Sequence, residues 1–295
     1  MFTVTDRLSM TSANTPRADS AAIPSVSRGR FVWYDLMTTD VPAATAFYTK
    51  VAGWGTQEFD TGPDRKYQMW TAGGVPIGGA VLLGSDKTSP GTPPHWLASI
   101  AVPSVDDSVR QAIRLGGKLL TRPMDIPETG RYAKIADPQG AVVALFAPLH
   151  PAAATVFTPK LSEFSWHELV TTNHEAAFAF YSALFGWERM GEHDVGAPVG
   201  TYLLFGQPGD QPAGAREPLA YGGMYSTSPA IPMPPSWLYY IHVPSADDAA
   251  KTVTALGGQV LNGPMEVPGG DSIAQCMDPQ GAMFAVHSTR SSGVA

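Results

Sequence analysis

Two carboxylates stand at matched places in a stretch that the chain spells twice, each with a tryptophan two residues before it. They are Asp35 after Trp33 in Phe31-Val-Trp-Tyr-Asp-Leu-Met-Thr-Thr-Asp40, and Glu168 after Trp166 in Phe164-Ser-Trp-His-Glu-Leu-Val-Thr-Thr-Asn173. An acid held among aromatic rings loses hydration, which favours its neutral form and lifts its pKa toward working pH, where it serves as a general acid or base. The same pattern has a structural reading, because a buried carboxylate needs partners and an indole N–H or neighbouring backbone supplies them. Both readings stand at this stage. His242 and His287 occur only in the second copy, opposite Ala101 and Phe146, and with Glu168 they make the second half the stronger candidate for proton transfer. His167, His174 and His193 read as surface residues, and His95 and His150 border turns.

Other chemistries lack their residues. The sequence has no Gly-x-Ser-x-Gly elbow, phosphate loop, dinucleotide fingerprint or Cys/His zinc spacing. Gly73-Gly74, Gly78-Gly79 and Gly222-Gly223 lack the following helix and Lys of a phosphate cradle and read as turn or strand-entry glycines. The single Cys276 excludes an internal disulfide, fits a reducing, cytoplasmic compartment and reads as a small core residue.

The acids need strands to aim them. Alternation puts Trp33, Asp35 and Met37 on one face with Tyr34 and Leu36 on the other, and likewise Trp166, Glu168 and Val170 against His167 and Leu169. A capped helix follows each strand: Asp40 or Asn173 is the N-cap, Phe47, Tyr48 and Val51 or Phe180, Tyr181 and Leu184 recur at helical spacing, and Gly53 or Gly186 stops it. A second strand and helix follow in each half, from Trp96 with Ser104 as cap and from Trp237 with Ser245 as cap. The pairing continues through Gly116-Gly117 with Gly257-Gly258, Pro123-Met124 with Pro264-Met265, and Asp137-Pro-Gln-Gly-Ala141 with Asp278-Pro-Gln-Gly-Ala282. Each half therefore reads as strand, helix and three strands, given twice.

Length and composition agree. The 295 residues, 44% hydrophobic and 15% charged, suit two globular domains, and a net charge of −7 argues against nucleic acid or an anionic membrane as partner. No apolar run approaches the roughly 20 residues of a membrane helix. Residues 1–28 read as a disordered leader, 29–150 and 160–290 as the two domains, and 151–159 as a Pro- and Ala-rich linker.

The order of elements, the strand ending in Thr-Thr-Asp or Thr-Thr-Asn before a helix with Phe-Tyr and Gly-Trp, and the closing Asp-Pro-Gln-Gly hairpin resemble the vicinal oxygen chelate superfamily (glyoxalase, bleomycin resistance, extradiol dioxygenase). The two fused domains are similar to a bacterial group labelled hydroxylase-like. The resemblance implies an α+β fold of two tandem glyoxalase-like domains, each built from two βαβββ units forming an open, cup-shaped barrel. It places the superfamily's metal ligands at Trp33, Leu97 and Ala144 in the first cup and at Trp166, Leu238 and Ala285 in the second. None of these is a ligand type, so no metal and no cofactor is expected.

The expected lining is Trp33, Asp35, Met37, Trp70, Trp96 and Phe146 in the first cup, and Trp166, Tyr202, Trp237, Tyr240 and Met283 in the second, with Glu168, His242 and His287 as the catalytic set. The leading expectation is a metal-independent protein, monomer or homodimer, that takes an apolar or aromatic small molecule into the second cup and isomerises, cyclises, eliminates from or hydrates it. The resemblance to bleomycin-resistance proteins implies an alternative, sequestration of an antibiotic without chemistry. A metal-dependent lyase or dioxygenase is the third reading.

Overall fold

The structure is a computed structural model that describes residues 28–60, 66–84, 91–150, 158–209, 219–228 and 232–289. Nearly all of the expected leader and most of the expected linker lie outside these residues.

The first half runs β1 (Phe31–Thr38), α1 (Val41–Val51), β2 (Gly55–Asp60), β3 (Lys66–Ala72), β4 (Val75–Leu82), then β5 (His95–Ala101), α2 (Val105–Arg114), β6 (Lys118–Ile126), β7 (Gly130–Ala136) and β8 (Val142–Pro148). The second repeats it: β9 (Phe164–Thr171), α3 (His174–Phe185), β10 (Glu188–Asp194), β11 (Thr201–Gly206), β12 (Ala220–Ser226), then β13 (Ser236–His242), α4 (Ala246–Ala255), β14 (Gln259–Glu266), β15 (Ser272–Met277) and β16 (Met283–Ser288). The strand orders, β2-β3-β4-β1-β5-β8-β7-β6 and β10-β11-β12-β9-β13-β16-β15-β14, are the same. Each sheet is open, two βαβββ units joined where the first strand of one pairs antiparallel with the first strand of the other.

The helix starts follow from capping chemistry. Asp40 accepts the Ala43 N–H at 2.9 Å and Asn173 that of Ala176 at 3.0 Å, satisfying amides that have no carbonyl in the first turn. Gly186 ends α3 at φ 76°, in the left-handed region that suits glycine.

The glycine pairs expected at turns or strand entries lie mid-strand instead, in β4 and β12. A Cβ on Gly78 would stand 2.0 Å from Tyr34 O, and one on Gly222 would stand 1.8 Å from His167 O. Glycine is required there because the neighbouring parallel strand comes too close for a side chain.

Strand alternation divides each sheet into two faces. One face of each meets the other across a shared aromatic core: Tyr34 stacks on Phe164, Phe31 on His167, and Tyr239 meets Tyr34 edge-on. The helices cross the same seam, α1 lying against α4 and α2 against α3. His167, expected at the surface, is 1% exposed in this core. Its Nδ1–H donates to Tyr221 O and its Nε2 accepts from Tyr34 Oη, each at 2.6 Å, because a carbonyl can only accept. Cys276 is buried, as its sequence context suggested. The faces bearing Asp35 and Glu168 turn away from the seam and form the two cups.

Candidate functional site

In the second cup β9 supplies Trp166 and Glu168, β11 Tyr202, β13 Leu238 and Tyr240, β15 Gln275, and β16 Met283. Trp166, Leu238, Tyr240, Ile273, Met283 and Ala285 form an apolar cluster separate from the shared core. Glu168, 7% exposed, is held at both oxygens. Tyr202 O–H donates to Oε2 at 2.9 Å, Gln275 Nε2 donates to Oε1 at 3.2 Å and also reaches Tyr240 Oη at 3.0 Å. Trp166 Nε1–H in turn donates to Tyr202 Oη at 2.9 Å, so indole, phenol and carboxylate form a relay. Burial raises the Glu168 pKa, and the hydrogen bonds from Tyr202 and Tyr240 oppose the rise. Burial and the nearby carboxylate keep the Tyr202 phenol protonated.

Gly223 makes the relay fit. A Cβ there would lie 2.0 Å from the Tyr202 ring, and one on Gly79 would lie 2.2 Å from the Tyr67 ring. Thus the first glycine of each pair admits backbone and the second admits the phenol.

The first cup holds the same relay. Trp33 Nε1–H donates to Tyr67 Oη at 2.8 Å and lies 3.3 Å from Asp35 Oδ1, while Tyr67 O–H donates to Asp35. Burial pushes Asp35 up to about 6, against hydrogen bonds from Tyr67 and Trp33 and the charge of Lys134. Lys134 occupies the register of Gln275, since each pairs with the matching alanine, Ala144 or Ala285. Sequence reasoning passed over Tyr67, Lys134 and Gln275; the second glycine of each pair is the signal that a bulky ring crosses that strand.

The other expected site residues divide. Trp33, Asp35, Met37, Trp166, Tyr202, Tyr240 and Met283 occupy the cup faces. Trp70, Trp96 and Trp237 do not: they lie in the shared core, Trp96 donating to Tyr48 Oη at 3.0 Å and Trp237 to Tyr181 Oη at 3.2 Å. Leu97 pairs with Asp35 and Leu238 with Glu168, so the cup face takes Leu97 and Leu238 and the adjacent tryptophans must point to the seam.

His242 and His287 are cross-strand neighbours with ring centroids 5.3 Å apart. Glu168 stands opposite Leu238, four residues back along β13 from His242, about 13 Å at the usual strand rise. The structure therefore separates the histidines from Glu168 and gives His287 other partners, Ser165 Oγ and Asp271 Oδ2, each at 3.0 Å.

The sequence model of the Glyoxalase/Bleomycin resistance protein/Dioxygenase superfamily matches residues 30–145 and again 163–286. The chain is 34% identical over 256 residues to CFP32 of Mycobacterium tuberculosis (strain CDC 1551 / Oshkosh), a protein named for a glyoxylase, covering 86% of this chain and 92% of that one. It is 28% identical over 268 residues to the anthracycline biosynthesis protein DnrV of Streptomyces peucetius, covering 88% of this chain and 92% of the relative. The Mn(II)-bound glyoxalase from Novosphingobium aromaticivorans shares the fold at TM-score 0.57 and 18% identity, covering 89% of this chain and 82% of that one. The 2,2',3-trihydroxybiphenyl 1,2-dioxygenase from Sphingomonas wittichii strain RW1 does so at 0.58 and 11%, covering 90% and 91%. The chain belongs to the glyoxalase/bleomycin resistance/dioxygenase superfamily, as two tandem domains of that fold.

Whether these cups suit the superfamily's metal turns on the donors they offer. The positions that the resemblance equates with ligands carry indole, isobutyl and methyl groups, and the Trp33 and Trp166 N–H are spent on tyrosines. The carboxylates beside them are ringed by O–H and N–H donors, which complement an anion and oppose a cation. Among the described residues no group of three or more His, Cys, Asp or Glu could hold a metal ion. These residues do not fit a divalent ion.

Proposed function

We propose that the second cup takes an apolar or aromatic small molecule against Trp166, Tyr240 and Met283, and that Glu168 exchanges a proton with it without a metal. The net change would be an isomerisation, cyclisation, elimination or hydration. One observation carries this reading: a nearly buried acid with a raised pKa sits on an apolar wall while its other neighbours hold it in place. A protonated Glu168 has a proton to give, and burial favours that form. Once ionised, it is received by the Tyr202 hydroxyl and the Gln275 amide, which stay in position and need no reorganisation.

The similarity to an anthracycline biosynthesis protein favours a fused-ring aromatic ligand, and the matching Streptomyces sp. (strain C5) protein DauV carries the same description. A cytoplasmic setting fits the single cysteine. No helix among the described residues is long and apolar enough to cross a membrane.

The test uses an anthracycline aglycone in large excess over EDTA-dialysed protein in deuterium oxide. Quenching of tryptophan fluorescence reports occupancy, and mass spectrometry reports deuterium uptake or a new product. Many equivalents should be converted, with Glu168→Gln still binding but slowed by about a hundredfold or more. Tight binding with an unchanged ligand at every time point would move the answer to sequestration. Activity that follows one equivalent of metal through removal and restoration would overturn the metal-independent reading.

A further inference from the structure

A second chain of hydrogen bonds joins a hydroxyl, an imidazole and a carboxylate at the far end of the same cup. We propose that Ser165, His287 and Asp271 form an acyl-transfer centre that hydrolyses a small ester, distinct from the proton exchange assigned to Glu168.

Ser165 Oγ lies 3.0 Å from His287 Nδ1, and His287 Nε2 lies 3.0 Å from Asp271 Oδ2. An ionised carboxylate only accepts, so Nε2 carries a hydrogen, and in the neutral imidazole Nδ1 presents its lone pair to the serine O–H, whose other acceptor, Tyr240 O, is farther away at 3.4 Å. The arrangement is nucleophile, base, and an acid that orients the base. Asp271 also stabilises the imidazolium that forms when His287 takes the serine proton.

The backbone explains why this serine can reach the histidine. The register between β9 and β13 shifts between Tyr240 and Ile241, which pair with Trp166 and Phe164, leaving Ser165 as the extra residue of a bulge. Bulges re-aim side chains, and here Ser165 meets His287 while Phe164 stays in the seam core. The first half has the same bulge with Val32 as its extra residue, Phe146 at the register of His287 and Gly130 at that of Asp271. All three polar groups are missing together where the same fold stands without them. Structure alone therefore does not require them.

The site is shielded but reachable. The side chains of His287 and Asp271 are 18% and 37% exposed, whereas Ser165 is 8% exposed, so a short acyl group is the size admitted. His242 stands beside His287, with ring centroids 5.3 Å apart.

The step balances with water as co-reactant. Ser165 Oγ bonds to the ester carbonyl carbon as its proton passes to His287 Nδ1; the carbon–alkoxy bond breaks and the alcohol leaves with that proton. Water then attacks the acyl-serine, gives a proton to His287, and releases the carboxylic acid as the proton returns to Ser165.

The experiment treats the full chain with p-nitrophenyl acetate and, separately, with diisopropyl fluorophosphate, reading intact mass and peptide maps. A single adduct on the peptide carrying Ser165 is expected, absent in Ser165→Ala and formed about a hundredfold more slowly in His287→Gln. Asp271→Asn should be labelled at least about tenfold more slowly, because the carboxylate that orients the imidazole and offsets its developing charge is gone. No adduct on Ser165 in wild-type protein with a normal melting curve overturns the proposal, as does equal labelling of a folded His287→Gln. Should His287→Gln fail to fold, the Asp271→Asn labelling rate decides, and a rate equal to wild type overturns the proposal. None of these negative results touches proton exchange at Glu168, which is read by isotope uptake.

Discussion

The Tyr48 hydroxyl crosses the seam between the two sheets and donates to Asp278 Oδ2 at 3.1 Å, and Tyr181 does the same in reverse to Asp137 at 3.0 Å. Each aspartate turns the Asp-Pro-Gln-Gly hairpin by accepting three backbone N–H groups at its other oxygen, so the hairpin of one half is tied to the helix of the other. Each phenol also accepts an indole N–H, from Trp96 or Trp237. The duplicated halves thus form one packing unit.

Tyr48→Phe should therefore cost about 1–3 kcal/mol, because it orphans a buried carboxylate oxygen and an indole N–H together. Tyr181→Phe should cost a similar amount. Urea unfolding followed by tryptophan fluorescence should show one cooperative transition in both variants. Two separable transitions would show that the halves unfold independently and that the seam contributes little.

The paired glycines predict unequal damage. Gly222→Ala sets a methyl against the His167 carbonyl, which cannot move without breaking the pairing of β12 with β9, whereas Gly223→Ala meets the Tyr202 ring. A ring can shift, at an overpacking cost of about 1–3 kcal/mol. Gly223→Ala should fold and lose the Tyr202–Glu168 hydrogen bond, while Gly222→Ala should be the less stable by chemical denaturation. The reverse ranking would contradict the close approach of the strands.

His167 makes the protein acid-sensitive. Burial lowers its pKa from 6.5 to about 3, so the folded state binds fewer protons than the unfolded state between those values. The stability it contributes is complete above its ordinary pKa and is lost as pH falls toward the folded value, by up to about 1.4 kcal/mol per pH unit. His167→Gln, which cannot charge, should start less stable at pH 7 yet lose less between pH 7 and 5. Parallel urea midpoints in the two proteins over that range would remove His167 as the cause.

Much of this was legible in the sequence because it is local. The caps at Asp40, Asn173, Ser104 and Ser245, the two strand-helix units per half and the constant offset between copies depend on neighbours within a turn, and the structure shows them. The acids also came out on the cup faces, since alternation within one strand is local. Side-chain direction in later strands was not legible: Trp96 and Leu97 are consecutive, so only one can face the cup, and the choice depends on the pairing of Leu97 with Asp35. His167 looked like a surface residue because nothing near it in sequence announces Tyr34, its partner from the other half. The relays were missed for the same reason, Tyr67 and Tyr202 being brought to the acids by strands distant in sequence.

The relay gives a final expectation for Glu168. The Tyr202 hydroxyl donates to the carboxylate and so favours the ionised form, holding down a pKa that burial raises. Removing that donor in Tyr202→Phe should raise the Glu168 pKa further. Where Glu168 acts as an acid, the alkaline limb of the pH–rate profile should move up with it; where it acts as a base, the rate near neutral pH should fall. Trp166→Phe should act in the same direction but less, because it removes only the N–H that polarises the phenol. Carbon-13 NMR titration of the Glu168 side-chain carboxyl measures all three proteins without a substrate. The order wild type, Trp166→Phe, Tyr202→Phe in rising pKa is the expected result. A fall in Tyr202→Phe would mean that water entering the vacated space solvates the carboxylate better than the phenol did, and the cup would then be wetter than its apolar wall implies.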